Sequence, residues 1–285
     1  MKKFLAFTGI ALSACLSAAT AAHAGCLDDI KKAGVITSGS GAMGVKPAAW
    51  QNEDGSYAGY EWEIFKEIGK RIGVPKQDYV VTDWSTLIPG VKAKRWDIIL
   101  SGMMVTQERI QGAGIIFSRP YFMIYDNVIV KNDSPIKSVD DLKGKTIGSV
   151  LGTMDSLNAH AFVEKGAAAK VLDFNNYGDP FVAMQNGQVD AVVIDQGTLN
   201  GQMQTMKDLR TIGEPIHYTP KPQWAAAEGE APYILGAEAV GMRKECDDLQ
   251  QAVNGALAAM EADGTRKAIL QKFDSWSPVQ DKLMK

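Results

Sequence analysis

An arginine and an aspartate stand out first for the chemistry they could do. Arg109 closes the run Thr106-Gln107-Glu108-Arg109. Its planar, permanently charged guanidinium can donate two parallel hydrogen bonds to a small carboxylate. The plainer role is a surface arginine paired with a neighbouring acid. Asp195 follows the apolar run Ala191-Val192-Val193-Ile194. This puts an acid at the carboxyl end of a buried strand, where α/β folds gather their sites. A charge buried there has to be paired, and its plainer role is to cap the segment that follows. Other candidates are thinner. His160 and His217 have no motif around them, and Glu61 and Glu63 read equally well as solvated helix residues. Three histidines and three cysteines are too few and too scattered for a zinc cluster.

The elements that must position these residues follow from the hydrophobic pattern. Residues 27–33 read as a helix stopped by Gly34, and 35–37 as a strand. Residues 38–58 are rich in Gly, Ser, Ala and Asn, a loop or short hairpin around Asp54-Gly55. Phe65, Ile68 and Ile72 repeat at helical spacing within 60–72. A strand at 79–81, a helix at 84–92 and an apolar strand at 97–100 follow. The second half repeats the theme, with strands at 127–130, 146–150, 170–174 and 191–194. Helices at 139–142, 156–165 and 180–186 lie between them, and Leu249, Val253, Leu257 and Met260 mark a terminal helical region. Strand–helix alternation predicts an α/β fold with parallel sheets.

Composition narrows the class. The 285 residues are 46% hydrophobic, with 30 Lys+Arg against 33 Asp+Glu. That excludes a disordered acidic chain and lacks the basic excess of a nucleic-acid binder. Beyond the N-terminus, no apolar run approaches the eighteen residues of a membrane-spanning helix. Residues 1–24 read as a secretory signal. Lys2 and Lys3 precede the apolar stretch 4–16, and Ala22-His23-Ala24 offers a cleavage site before Gly25. A rival lies inside it: Leu12-Ser13-Ala14-Cys15 is similar to a lipobox, which would leave a lipid-anchored Cys15. Removing residues 1–24 deletes two lysines and no acids, taking the net charge from −3 to −5. Cys26 and Cys246 remain. In an oxidising compartment they read as a disulfide, which would bring both ends of the mature chain into one domain; otherwise they are two inert thiols.

A longer series of motifs carries a resemblance. Trp84-Ser85-Thr86-Leu87-Ile88-Pro89 is followed by Trp96-Asp97-Ile98-Ile99, Ser101-Gly102-Met103, Thr106-Gln107-Glu108-Arg109 and Phe117-Ser118-Arg119-Pro120-Tyr121. Leu142-Lys143-Gly144-Lys145, Gly152-Thr153 and the run 187–195 come next, then Val240-Gly241-Met242-Arg243-Lys244 and Ala262-Asp263-Gly264-Thr265. The ordered set resembles the polar amino-acid-type extracellular solute-binding proteins, the periplasmic receptors of ABC importers. The resemblance implies a two-lobed, type II periplasmic-binding-protein-like α/β fold. Each lobe would be a mostly parallel sheet flanked by helices, joined to the other by two hinge strands. Lobe one would take 25–122 and 236–285, and lobe two 123–235.

The resemblance also assigns a ligand site. Arg109 matches the arginine that holds an α-carboxylate, and Asp195 the acid that neutralises an α-ammonium. Gly102 matches the residue whose carbonyl receives that ammonium. Met104 matches a donor of a backbone amide to the carboxylate, and Thr153 and Met154 lie in the lobe-two loop that donates others. Trp84 matches a pocket wall, and it reads equally as a helix start packed on the core. Met104 and Met154 replace hydroxyl residues common in relatives. The usual aromatic wall after the first strand is also missing, leaving Met43, Val45, Lys46 or Trp50 to face the cleft. The function implied is capture of an amino acid or related small amine or carboxylate and its delivery to a membrane permease. The expected form is a periplasmic monomer with no cofactor, metal or nucleic acid. An exported dehydratase-like enzyme on the same fold, or a sensor feeding a membrane signalling protein, are the alternatives.

Overall fold

The computed structural model describes residues 25–41 and 43–285. The expected signal segment 1–24 and Cys15 lie outside the described residues. Two five-stranded sheets dominate. With strands numbered in chain order, the first sheet runs β4 (Lys76–Val81), β1 (Val35–Ser40), β5 (Ile98–Ile99), β12 (Ala237–Arg243), β6 (Ile115–Met123). The second runs β9 (Lys170–Phe174), β8 (Thr146–Val150), β10 (Ala191–Asp195), β7 (Asp126–Lys131), β11 (Leu209–Ile216). A small hairpin, β2 (Trp50–Gln51) with β3 (Tyr57–Ala58), fills the loop expected around Asp54-Gly55.

Each sheet has one reversed strand among four that share a direction, and it stands fourth in both orders: β12 in the first, β7 in the second. The reason is where the chain crosses. β6 ends at Met123 and β7 begins at Asp126; β11 ends at Ile216 and β12 begins at Ala237. A strand that enters a lobe from the carboxyl ends of the other lobe's strands must run away from that edge, against its neighbours. Both crossings therefore leave the carboxyl ends of the parallel strands facing one another, the edge at which open α/β sheets bind ligands.

The core explains why the central strands are so apolar. Ala191 and Val193 of β10 pack on one face with Val128, Ile147 and Leu142. Val192 and Ile194 pack on the other with Phe181 and Met184 of α5 (Asp179–Gln185). A strand covered on both faces has no solvent side on which to alternate. In the first lobe α2 (Tyr60–Ile72) and α8 (Asp247–Ala262) cover one face through Ile64, Ile68, Leu249 and Val253. Cys26, opening α1 (Cys26–Ala33), is bonded to Cys246 just before α8, with Cα atoms 5.3 Å apart.

One segment packs away from its expected lobe. Residues 224–235 were expected with lobe two, yet α7 (Ala225–Glu230) and its flanks contact the first. Glu228 Oε1 accepts from the Gln107 amide at 2.6 Å, and Tyr233 donates to Glu228 at 2.9 Å. Ala231 and Tyr233 join the core formed by Trp84, Leu87 and Trp96. The chain returns to the first lobe's side before β12 begins.

Candidate functional site

Arg109 sits in a single wide turn, Glu108–Gly112, between β5 and β6 of the first sheet. Its Nη1 donates to the Met104 carbonyl at 2.6 Å, and its Nη2 reaches the Gly152 carbonyl of the other lobe at 3.3 Å. These two acceptors fix the plane of the guanidinium without neutralising it. The adjacent Glu108 is taken by Lys221 at 2.9 Å, and among the described residues no carboxylate forms an ion pair with Arg109. Burial lowers its pKa from the usual arginine value, which raises the value of an incoming anion. The reading of Arg109 as an ordinary surface ion pair does not hold.

Across the gap, Asp195 ends β10 and caps α6 (Gln196–Thr205), accepting from the Thr198 amide at 2.8 Å. The plainer role foreseen for it is therefore real, and it uses one carboxylate oxygen. The residue is buried, and burial raises its pKa against the pull of the cap. Thr153 caps α4 (Met154–Glu164) in the same way: its Oγ1 accepts from the Ser156 amide at 3.2 Å and donates to the Val150 carbonyl at 2.7 Å. With its hydroxyl spent on the helix, the loop's remaining donors are backbone amides at an electropositive helix end.

Gly152 needs its glycine. Its φ of 78° is left-handed, and its carbonyl accepts from Trp84 Nε1 at 3.0 Å as well as from Arg109. Gly102 is left-handed too, at φ 67°, and a Cβ there would stand 3.5 Å from Glu238 Oε1. Trp84 has two sets of contacts. It packs in the core with Leu87 and Val91, and its indole edge bridges the lobes.

All seven residues singled out by the sequence, Trp84, Gly102, Met104, Arg109, Thr153, Met154 and Asp195, border one narrow hollow with ≈ 20 Å³ of free volume. That is about the space of one water, so the lobes must part to admit a solute. Ile124, Asp155 and Tyr177 complete its wall. Met104 and Met154, the two departures from hydroxyl residues, meet with Tyr218 in one apolar cluster across the lobes. A larger hollow beside the disulfide is walled by the first lobe alone.

Sequence reasoning missed several residues here. The missing aromatic wall is supplied by Tyr177, whose ring meets Trp84 edge-on with centroids 6.0 Å apart. Trp50 does not supply it: it stands on Phe273 in the hairpin. Met43 and Lys46 line a separate groove beside Trp50, and Val45 packs against the Trp84 core, so none of the three borders the hollow. Glu61 is no solvated helix residue. It is fully buried, with Oε1 accepting from Tyr121 at 2.6 Å and from the Gly102 amide at 2.5 Å. Glu63 does stay at the surface, paired with Lys66 and Lys272.

Carboxyls crowd this place. Asp126 is the cross-strand partner of Asp195 and accepts from Asn158 at 2.8 Å. Glu238, buried on β12, faces Met104 across an isolated bridge. Burial pushes Glu61 and Asp126 up to about 7 and raises Asp155 and Glu238 well above the usual carboxylate range. Among the described residues, no group of three or more His, Cys, Asp or Glu is arranged to hold a metal ion.

Two lobes, two crossings and a small polar hollow between facing strand ends define a solute-binding protein of the type II periplasmic class. The sequence profile of bacterial extracellular solute-binding proteins, family 3, matches residues 41–275, and the chain belongs to that family. It is 29% identical over 269 residues to the L-cystine-binding protein of Escherichia coli (strain K12), covering 93% of this chain and 91% of that one. An ancestral arginine-binding protein bound to arginine superposes with a TM-score of 0.71 at 27% identity, covering 84% of this chain and 98% of the other. An ancestral amino acid-binding protein described as a precursor of cyclohexadienyl dehydratase gives 0.71 and 27%, covering 87% and 98%.

Proposed function

We propose that the protein is the receptor of an ABC importer, capturing an amino acid or a related small amine or carboxylate in the cleft and handing it to a membrane permease. The observation that carries this reading is an unpaired Arg109 and a buried Asp195 on opposite sides of one small hollow. Arg109 takes the ligand carboxylate, aided by the amides of Met104, Thr153 and Met154. Asp195 and the Gly102 carbonyl take the ammonium, and Trp84 with Tyr177 walls the side chain. Lobe one is 25–122 with the C-terminal part, extended back to take in 224–235; lobe two is the rest. Closing the lobes about the ligand presents both to the permease. Residues 1–24 direct the chain to the periplasm, where it works as a monomer without nucleic acid or cofactor.

A dehydratase reading draws on the likeness to a dehydratase precursor and on carboxyls that titrate near 7. General acid catalysis needs a proton donor within reach of the substrate. Glu61 spends Oε1 on Tyr121 and Gly102 and does not border the hollow, whereas Asp155 does. The relatives that are binding proteins make the receptor reading the stronger. A thermal-shift screen over amino acids, polyamines, betaines and aromatic acids tests it, because a ligand that binds only the folded state raises Tm by mass action. An amino acid should raise Tm and be recovered unchanged by mass spectrometry. No shift from any of them, or a converted product, contradicts it.

A further inference from the structure

α6 carries a glycine that helix formation alone does not ask for. Gly201 stands in the interior of Gln196–Thr205, where glycine weakens a helix relative to alanine. Its backbone is helical, so no left-handed φ demands it. What demands it is an approach from the other lobe. A Cβ on Gly201 would stand 2.7 Å from the Lys46 carbonyl oxygen, and the three nearest atoms it would meet all belong to Lys46. An α-hydrogen takes that direction instead, and a Cα–H can point at a carbonyl where a methyl cannot fit. The Lys46 backbone is poorly placed to yield. The Ala49 amide donates to the Val45 carbonyl at 2.9 Å, and the Tyr60 and Glu61 amides of α2 hold the Pro47 and Ala48 carbonyls, each at 3.1 Å. Pro47 shares a second hollow with Gln196 and Asn200, so this turn and α6 meet along a seam beside the first crossing between the lobes.

The same helix reaches the ligand site. Asp195 caps α6 and borders the hollow between the lobes, and Gly201 lies roughly 9 Å farther along the axis. We propose that Gly201 is a positioning residue for ligand capture: its bare α-carbon lets α6 settle on the Lys46 carbonyl as the lobes close, and that fit sets how far the closed arrangement is favoured. This rests on the receptor reading above and adds a control point outside the ligand's own contacts. A ligand held by Asp195 draws on one end of α6, and Gly201 docks the same rod on the first lobe. A methyl group at this position obstructs only the closed arrangement and leaves parted lobes untouched. An affinity that depends on closure then drops by the factor by which closure is disfavoured.

Gly201→Ala and Gly255→Ala separate this role from helix stability. Gly255 lies inside α8, and a Cβ there would meet nothing within 4 Å. Calorimetry of the wild type with the protein amino acids and L-cystine, one at a time, supplies the tightest binder as the probe. Each variant is then titrated with that probe, and small-angle X-ray scattering follows the radius of gyration with and without it. Both substitutions should hold or raise the Tm of the ligand-free protein, since alanine favours a helix over glycine. Gly201→Ala alone should weaken the probe at least about tenfold and shrink the compaction that the probe induces. Wild-type affinity in Gly201→Ala, or an equal loss in Gly255→Ala, overturns the inference and leaves the receptor reading standing. Should Gly201→Ala also lower the Tm, compaction at saturating probe decides: full compaction overturns the inference. If no amino acid binds the wild type, the receptor reading falls first and takes this inference with it.

Discussion

The indole Nε1 of Trp84 donates to the Gly152 carbonyl at 3.0 Å, from one lobe to the other. Arg109 shares the same acceptor. One carbonyl thus ties the aromatic wall and the carboxylate-binding cation to the second lobe. Trp84→Phe keeps most of the ring and removes the donor. A hydrogen bond of this kind contributes about 0.5–1.5 kcal/mol net. Ligand affinity by calorimetry should therefore fall about three- to tenfold, with the melting profile of the free protein little changed. An unchanged affinity would mean that the contact plays no part in the bound state.

Asp195 both caps α6 and faces the hollow. Asn is as good an N-cap as Asp, so Asp195→Asn separates the two roles. The variant should fold normally and lose affinity for ligands with an α-ammonium. It should spare analogues that lack one. Equal losses for both ligand types would reduce Asp195 to a cap.

The buried carboxyls give the free protein a distinctive pH dependence. In the unfolded chain such groups titrate near the ordinary 4–4.5 or so. In the folded protein Glu61 and Asp126 titrate at about 7, and Asp155, Asp195 and Glu238 are also raised. Between these limits the folded state holds more protons than the unfolded one, so stability is lost as pH rises toward 7. The Tm of the ligand-free protein should fall by several degrees from pH 5 to pH 8, and Glu61→Gln should flatten the slope. A Tm that rises over that range would show that the carboxyls are compensated in solution.

The Cys26–Cys246 bond joins residues 220 positions apart and closes the first lobe around both chain ends. Cys26→Ser with Cys246→Ser should cost about 2–5 kcal/mol of stability. Ligand affinity should change little, since neither cysteine borders the hollow. Chemical denaturation of the two forms, with and without reductant, measures this. Identical midpoints would show the bond is absent from the purified protein.

Why some of this was legible in sequence and some was not has physical causes. β10 announced itself because both its faces are covered, and Asp195 stood out as the first polar residue beyond it. β6 went unread. Its Pro120 argues against a strand, yet β6 is the edge of its sheet, where a proline sacrifices no ladder bond. β12 hid behind Glu238 and Gly241, since a buried acid and a glycine interrupt the apolar run. The residues that border the hollow by motif were all foreseen. Tyr177 was not, because an aromatic in a loop has no period to reveal it. Glu61, Asp126, Asp155 and Glu238 were missed for a related reason. Their burial depends on partners distant in sequence, such as Tyr121 for Glu61 and Asn158 for Asp126, and no local spacing records that.

The central claim is that Arg109 binds the carboxylate of an amino acid that leaves unchanged. The most direct measurement titrates the protein with its best amino acid from the thermal-shift screen and with the amide of that same molecule. The account predicts one ligand bound per chain, recovery of the amino acid intact, and a loss of about 100-fold or more for the amide, matched by Arg109→Ala. Equal affinity for acid and amide, or a chemically altered ligand on recovery, would contradict it.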